Sequence, residues 1–274
     1  MTQKTILITG CSSGIGYYTA KLLAREGHIV YAGVRKQVDL NVFSRLPLRH
    51  QPTTFLLDVT WDQQRINKTI NKLSPHVDVL INNAGFGFLG AVETISVEQL
   101  QSQLDTNLLG LFKVTKSVLP TMRQRCSGLI INVSSISGLV AFAGYGIYSA
   151  SKFAVEALTQ ALRLEEARFN ISVASLNPGS FETNFWKNEQ FPKKSNASPL
   201  TEFNQRIQRS VKRSRSYRGS PQIIAKKISQ LINSHHQPLN NLVGLDARII
   251  YLLRRLLPQF VFGHIMKRLH QRLI

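Results

Sequence analysis

Tyr148 and Lys152 stand four residues apart at the head of an apolar-periodic segment that begins near Gly146. On a helix this spacing puts both side chains on one face. A phenol shuttles protons poorly at neutral pH because its ordinary pKa is about 10. An ammonium one turn away favours the phenolate, so the expectation is an acid/base pair in which Lys152 lowers the pKa of Tyr148. Tyr145 is an internal contrast, since four residues beyond it comes the uncharged Ser149.

A second set of residues suits a nucleotide. Gly10, Gly14 and Gly16 follow a short apolar run and precede an amphipathic stretch that ends near Glu26. Glycines let backbone approach a pyrophosphate, and the helix start offers unpaired N–H groups and a positive dipole end. The spacing is Gly-x3-Gly-x-Gly rather than the general Gly-x-Gly-x2-Gly, and a glycine turn by itself is equally structural. The next apolar run ends in Arg35-Lys36, near the place where an acidic residue would hold a free adenosine ribose. A guanidinium there pairs with a 2′-phosphate, which favours NADP(H) over NAD(H), although a solvated arginine at a strand end is the plainer reading.

The elements that must carry these residues alternate. Apolar runs at 4–10, 28–34, 53–57, 77–81, 129–133, 171–176 and 239–243 read as strands. Helical patterns lie between them, to about 26, at 62–73, over one long stretch at 97–125, from Tyr148 onward and at 221–233. This order predicts an α/β fold, a doubly wound parallel sheet of Rossmann type in a single domain spanning 1–274. Asn82-Asn83-Ala84-Gly85 falls at the carboxyl end of the fourth strand, where small residues and amides suit a nucleotide but also make ordinary turns. Asn107 sits among apolar neighbours and either caps an irregularity in its helix or orders a water. Ser134 and Ser135 end the fifth strand, and alternation lets at most one face the side that Tyr148 faces. From 183 to 219 periodicity fades among Phe185, Trp186, Phe191, Phe203 and many cations, which reads as a flap over the pocket. Residues 245–274 form a basic, apolar extension without a run long enough to span a bilayer.

The chain has 274 residues, enough for one substantial core, and a net charge of +19. Residues 183–274 carry 17 Lys and Arg against Glu189, Glu202 and Asp246, which is 17 − 3 = +14. Such a surface is expected to meet something anionic. Nucleic acid is not the expected partner, because no recognised binding motif accompanies the charge. Peripheral contact of 249–257 and the final helix with an anionic membrane is the stronger expectation. The first residues lead directly into a strand without a charged-then-apolar leader, and Cys11 and Cys126 are too few for a disulfide framework, so a reducing cytoplasm is expected. No His/Cys/Asp/Glu set with metal-ligand spacing stands out, and no metal is expected.

Taken together, Thr9-Gly10-x3-Gly14-Ile15-Gly16, Asn82-Asn83-Ala84-Gly85, Asn107, Ser135 thirteen residues before Tyr148, Tyr148-x3-Lys152 and Pro178-Gly179 resemble the classical short-chain dehydrogenases/reductases over about residues 3–183. Gly10 to Gly16, Tyr31 to Arg35 and Phe86-Gly87 look like the branch with 17β-hydroxysteroid dehydrogenases, retinol dehydrogenases and bacterial NADP-dependent aldehyde reductases. The resemblance implies catalytic roles for Asn107, Ser135, Tyr148 and Lys152. It also implies cofactor contacts by Gly10, Ser13, Gly14, Ile15, Arg35, Asp58, Val59, Asn83, Ala84, Gly85, Tyr148, Lys152, Pro178 and Gly179. Tyr148 would give the proton, Ser135 hold the substrate oxygen and Asn107 hold a relay water. The implied activity is hydride transfer between NADP(H) and a carbonyl or alcohol. Phe86, Phe88, Leu89, Val140, Phe142, Phe181, Phe185 and Trp186 would make the substrate lipophilic, although core packing and flap anchoring explain many of them equally well. The alternative is a non-catalytic protein that senses NADP(H) or tethers to a membrane. Homo-oligomers, in the resembling family, form through helices near 97–125 and 148–168.

Overall fold

The computed structural model describes residues 2–47, 49, 51–74, 76–182, 200–213 and 219–273. Each short apolar run becomes a strand: β1 (Thr5–Ile8), β2 (Ile29–Val34), β3 (Thr53–Leu56), β4 (Val79–Asn82), β5 (Gly128–Val133), β6 (Ile171–Pro178) and β7 (Asn240–Val243). They form one seven-stranded sheet, all parallel, in the order β3-β2-β1-β4-β5-β6-β7. The runs are nearly continuous in apolar character because helices cover both faces of the sheet. Ile6 and Ile8 pack with Leu23 of α1 (Gly14–Arg25) and Ile228 of α7 (Pro221–Ile232). Leu7, one residue between them, faces the other way, with Ile66 of α2 (Gln63–Asn71), Val118 of α4 (Leu111–Gln124) and Leu162 of α5 (Gly146–Glu166). The strand order reverses at β1, whose neighbours are β2 and β4, and the carboxyl ends there open the crevice in which such sheets bind ligands.

The expected long helix at 97–125 is divided. α3 (Val97–Leu104) passes through a π-helical turn, Asp105–Gly110, before α4 begins. Two contacts account for the widened turn. Asn107 is drawn toward the loop after β4, and Gly110 approaches Val59 so closely that a Cβ would lie 2.6 Å from its Cγ2. Such insertions recur at functional sites.

The expected flap, 183–219, also differs. Its described part contains a regular helix, α6 (Thr201–Arg213), in which Ile207 and Val211 close over Leu89. The side chains of Phe203, Ile207 and Val211 recur every fourth residue, a period hidden in the sequence by the cations between them. Phe185, Trp186, Phe191, Arg215 and Arg218 lie outside the described residues. The extension forms α8 (Leu245–Leu256) and α9 (Gln259–Leu273), and α9 packs on α6. Among the described residues no helix is long and apolar enough to cross a membrane.

A buried chain of amides and hydroxyls ties the site-bearing elements together. Asn82 Nδ2 donates to Thr115 Oγ1 and Asn132 Oδ1, both at 2.9 Å, and Asn132 Nδ2 donates to Thr159 Oγ1 at 2.9 Å. Asn132 thus joins β5, which delivers Ser135, to α5, which delivers Tyr148. Asn132→Ala removes two buried hydrogen bonds at once, though Asn82 keeps Thr115 Oγ1 and Thr159 keeps Val155 O, and should cost about 1–3 kcal/mol of unfolding free energy, measured by urea denaturation. A change below about 0.5 kcal/mol would show that the chain does not hold these elements.

Candidate active site

A cavity of about 1230 Å³ runs along the carboxyl edge of the sheet. Gly10, Ser13, Gly14, Ile15, Arg35, Asp58, Val59, Asn83, Ala84, Gly85, Ser135, Tyr148, Lys152, Pro178 and Gly179 all line it, whereas Asn107 does not. Residues from six strand ends and the start of α1 and α5 therefore meet around one space.

At one end lies the glycine turn. Gly10 has φ +72° and Gly14 φ +58°, a region that costs other residues strain. Gly16 has no room for a Cβ, which would collide with Gly10 O and Asn83 Nδ2. The Asn83 side chain donates to Thr9 O and Gly10 O, each at 2.9 Å, while Thr9 Oγ1 accepts from Asn83 N and Ala84 N, each at 3.0 Å. Asn83 thus latches the turn that precedes α1, and its amide is engaged with the protein itself. Ser13 is the N-cap of α1, yet its hydroxyl does not bond the first turn. A rigid cradle of backbone N–H groups and a spare hydroxyl at a helix N-terminus fits a pyrophosphate. Arg35 and Lys36 follow on the exposed end of β2, beside Asp39, so that two cations and one carboxylate line this part of the wall. Asp58 Oδ1 accepts from Thr60 N at 2.9 Å and Thr60 Oγ1 at 2.8 Å, which fixes the turn after β3.

The residues expected to carry acid/base chemistry lie farther along. Ser135 Oγ accepts from Ser137 N at 3.1 Å and is hydrogen-bonded to the Tyr148 hydroxyl, while Ser134 faces Glu156 on the other side. Of the two serines it is thus Ser135 that meets Tyr148. Burial pushes the Tyr148 phenol up to about 12, opposed by its bond with Ser135. Burial also pulls Lys152 down to about 8, opposed by the carboxylate of Glu156. Lys152 Nζ donates to Val133 O at 2.8 Å and lies 5.8 Å from the centre of the Tyr148 ring. The expectation that Lys152 makes Tyr148 a phenolate is therefore corrected. Spacing alone gave proximity; desolvation, which favours the neutral form of both groups, outweighs it.

Asn107 is nine-tenths and more buried, and its side chain is a strut. Oδ1 accepts from Phe86 N at 3.0 Å, and Nδ2 donates to Phe86 O at 2.9 Å and to Ser151 Oγ at 3.0 Å. The irregularity expected at Asn107 is present, a π turn held to Phe86 and to α5. Glu156, one turn beyond Lys152, is held by Ser175 Oγ at 2.9 Å, Asn177 Nδ2 at 2.6 Å and Asn240 Nδ2 at 3.2 Å. Its carboxyl is shifted upward by burial, with bonds from Ser134, Ser175 and Asn177 and the charge of Lys152 opposing.

The outer end is lined by Phe86, Phe142 and Phe181 as expected, and by Tyr145, Ile207, Ser210, Ile250 and His270. Phe88, Leu89 and Val140 follow the core-packing reading instead of the pocket one, each buried and absent from the wall. Asp246, at the start of α8, was missed by sequence reasoning. Its Oδ2 accepts from Ser180 N at 2.7 Å, and its carboxylate packs so tightly on Gly179 that no Cβ fits there. An acidic residue just after Gly244 was the available signal, as a helix start. Nothing in the sequence marks His270. Among the described residues no three His, Cys, Asp or Glu come together as a metal site would require.

The short chain dehydrogenase family model matches residues 4–193. A 3-ketodihydrosphingosine reductase from Bacteroides thetaiotaomicron is 36% identical over 261 residues, covering 92% of this chain and 91% of its own. The structure of a short-chain dehydrogenase from Streptomyces avermitilis superposes with a TM-score of 0.82 at 30% identity, covering 93% and 92% of the two chains. ElxO with NADP bound superposes with a TM-score of 0.71 at 27% identity, covering 88% and 96%. The chain belongs to the short-chain dehydrogenase/reductase family. It is an oxidoreductase of the kind that acts on CH–OH groups.

If Lys152 must be charged for turnover, kcat/KM falls as pH rises through about 8, where its proton leaves. Glu156→Gln removes the carboxylate that opposes desolvation, so the falling limb moves to lower pH. A pH profile of wild type and variant reads this directly; coincident limbs would show that Glu156 does not tune Lys152.

Proposed function

We propose that the chain is an NADP(H)-dependent reductase of lipophilic ketones or aldehydes, with the corresponding alcohol as product. The observation that carries this reading is the Tyr148 hydroxyl, bonded to Ser135 and kept protonated by burial, in the same cavity as the glycine turn. A neutral phenol is a proton donor. As a carbonyl accepts hydride, charge grows on its oxygen, and a donor already aimed there stabilises the transition state more than the ground state. Bound NADPH would supply that hydride. Ser135 would bond the substrate oxygen in place of its present bond to Tyr148, and Lys152 would hold the nicotinamide ribose and return a proton toward the phenol. Asn107 would act by holding the 85–87 loop against α5.

For the cofactor, Arg35 is the discriminating residue. It makes no ion pair among the described residues, and with Lys36 it leaves an excess of positive charge beside Asp39. Gly10, Ser13, Gly14 and Ile15 would cradle the pyrophosphate, Asp58 and Val59 flank the adenine, and Asn83, Ala84 and Gly85 face the adenosine ribose. Pro178 and Gly179, fixed by Asp246 through Ser180, would back the nicotinamide. For the substrate, Phe86, Phe142, Phe181, Ile207 and Ile250 offer apolar walls, and the relative named for 3-ketodihydrosphingosine supports a long lipophilic ketone. A second copy of the chain would cover Leu109, Phe112 and Phe153, exposed on the π turn, α4 and α5.

Tyr148→Phe should lower NADPH-dependent reduction of long-chain ketones or aldehydes by roughly 10²–10⁴-fold while NADPH still binds. Turnover equal to wild type would contradict the reading, as would the absence of turnover across a panel of lipophilic carbonyls. Arg35→Ser should weaken NADPH by about 10–100-fold, the loss of a charge-assisted bond, and leave NADH unchanged. Equal loss for both cofactors would remove Arg35 from discrimination.

A further inference from the structure

Helix α8 has two contrasting faces. Ile250 and Asp246 line the cavity and Ala247 is fully buried, so one side of the helix belongs to the body of the protein. Leu245, Ile249, Leu252 and Leu256 recur at steps of four, three and four residues and are between 48% and 74% exposed. At 3.6 residues per turn these four form a single outward stripe. Phe260, 78% exposed at the start of α9, follows four residues later. Scattered surface leucines mean little, but an aligned stripe of large apolar side chains marks a contact.

The charge around the stripe identifies what covers it. Arg248 and Arg255, seven residues apart, run along its flank, and both are exposed without an ion pair among the described residues. Lys267 and Arg268 on α9 are exposed likewise. The acids of this third of the chain do not neutralise them. Glu202 is paired with Arg206, Asp246 is bonded to Ser180 N, and Glu189 lies outside the described residues. A second copy of the chain placed on this face would bring like charges together. An apolar stripe edged by arginines, by contrast, matches an anionic bilayer, acyl chains below and phosphates above.

We infer that α8 docks on an anionic lipid surface, with Leu245, Ile249, Leu252 and Leu256 among the acyl chains and Arg248 and Arg255 at the headgroups. Because Ile250 on the inner side of the same helix lines the cavity, docking sets that wall of the cavity beside the lipid. The docking is independent of the reaction proposed above, and its test needs no substrate.

The full chain is sedimented with vesicles of phosphatidylcholine alone and of phosphatidylcholine mixed with phosphatidylglycerol, at low and high salt. Binding is expected to the anionic vesicles only, and to weaken as salt rises. Arg248→Gln with Arg255→Gln should reduce affinity roughly thirtyfold. Leu252→Ser with Leu256→Ser should remove the part that survives salt. Arg209→Gln with Lys212→Gln, on the exposed side of α6, should leave binding within about threefold of wild type, since screening confines the effect to nearby charge. Thermal melts of the purified variants establish that the fold is kept. The inference is overturned if anionic vesicles do not bind, if neutral ones bind equally, or if the α8 variants pellet like wild type. It is also overturned if the α6 variant loses as much as the Arg248/Arg255 variant, which would mean a diffuse field, or if light scattering shows the Leu252/Leu256 variant dissociating an oligomer.

Discussion

Burying an ammonium beside a phenol is the constraint around which the carboxyl edge of the sheet is arranged. Lys152 is 6% exposed and Tyr148 8%. A charged amine in such a place needs an acceptor and a countercharge: Val133 O at the end of β5 accepts from it, and the carboxylate of Glu156, one turn on, favours its charged form through space. Glu156 in turn needs donors of its own. Ser175, Asn177 and Asn240 provide them, and so β6 and β7 are tied into the support of one lysine. The Asn82–Asn132–Thr159 chain does the same between β4, β5 and α5. A connected set of buried polar groups thus stands behind Tyr148 and Lys152, where it fixes their geometry.

The seven strands were legible in the sequence because each is a short, nearly unbroken apolar run, which only a sheet covered on both faces can bury. The residues that line the cavity were legible because strand ends at a reversal of strand order must converge. Other features depend on partners distant in sequence. The π turn at Asp105–Gly110 answers to Phe86 and Val59, and no local pattern announces it. α6 escaped notice because Ile207 and Val211 need Leu89 to explain them. The direction of the Tyr148 shift failed for a similar reason: a spacing of four residues specifies a neighbour but carries no information on how much water is removed. Asp246, Ile250 and His270 reach the cavity from the last helices, a placement that follows from how α8 and α9 fold back.

The basic third of the chain and the outer end of the cavity are parts of one arrangement. α6, α8 and α9 close the outer end of the cavity, contributing Ile207, Ser210, Ile250 and His270, and the same helices carry much of the excess charge on their outer sides. The outward apolar stripe of α8 and the cavity wall at Ile250 thus share a helix. The catalytic half needs no such surface, since the glycine turn, the Ser135–Tyr148 bond and the Lys152–Glu156 support lie wholly within residues 1–182 and β7.

The state of the Tyr148 phenol is what this chemistry rests on. Ultraviolet difference titration of the protein against Tyr148→Phe isolates its ionisation. A midpoint near 12, above the ordinary tyrosine value of about 10, is the result that burial requires. Ionisation below about 10 would mean that the ammonium governs the phenol after all, and that a buried neutral donor is not the acid of this site.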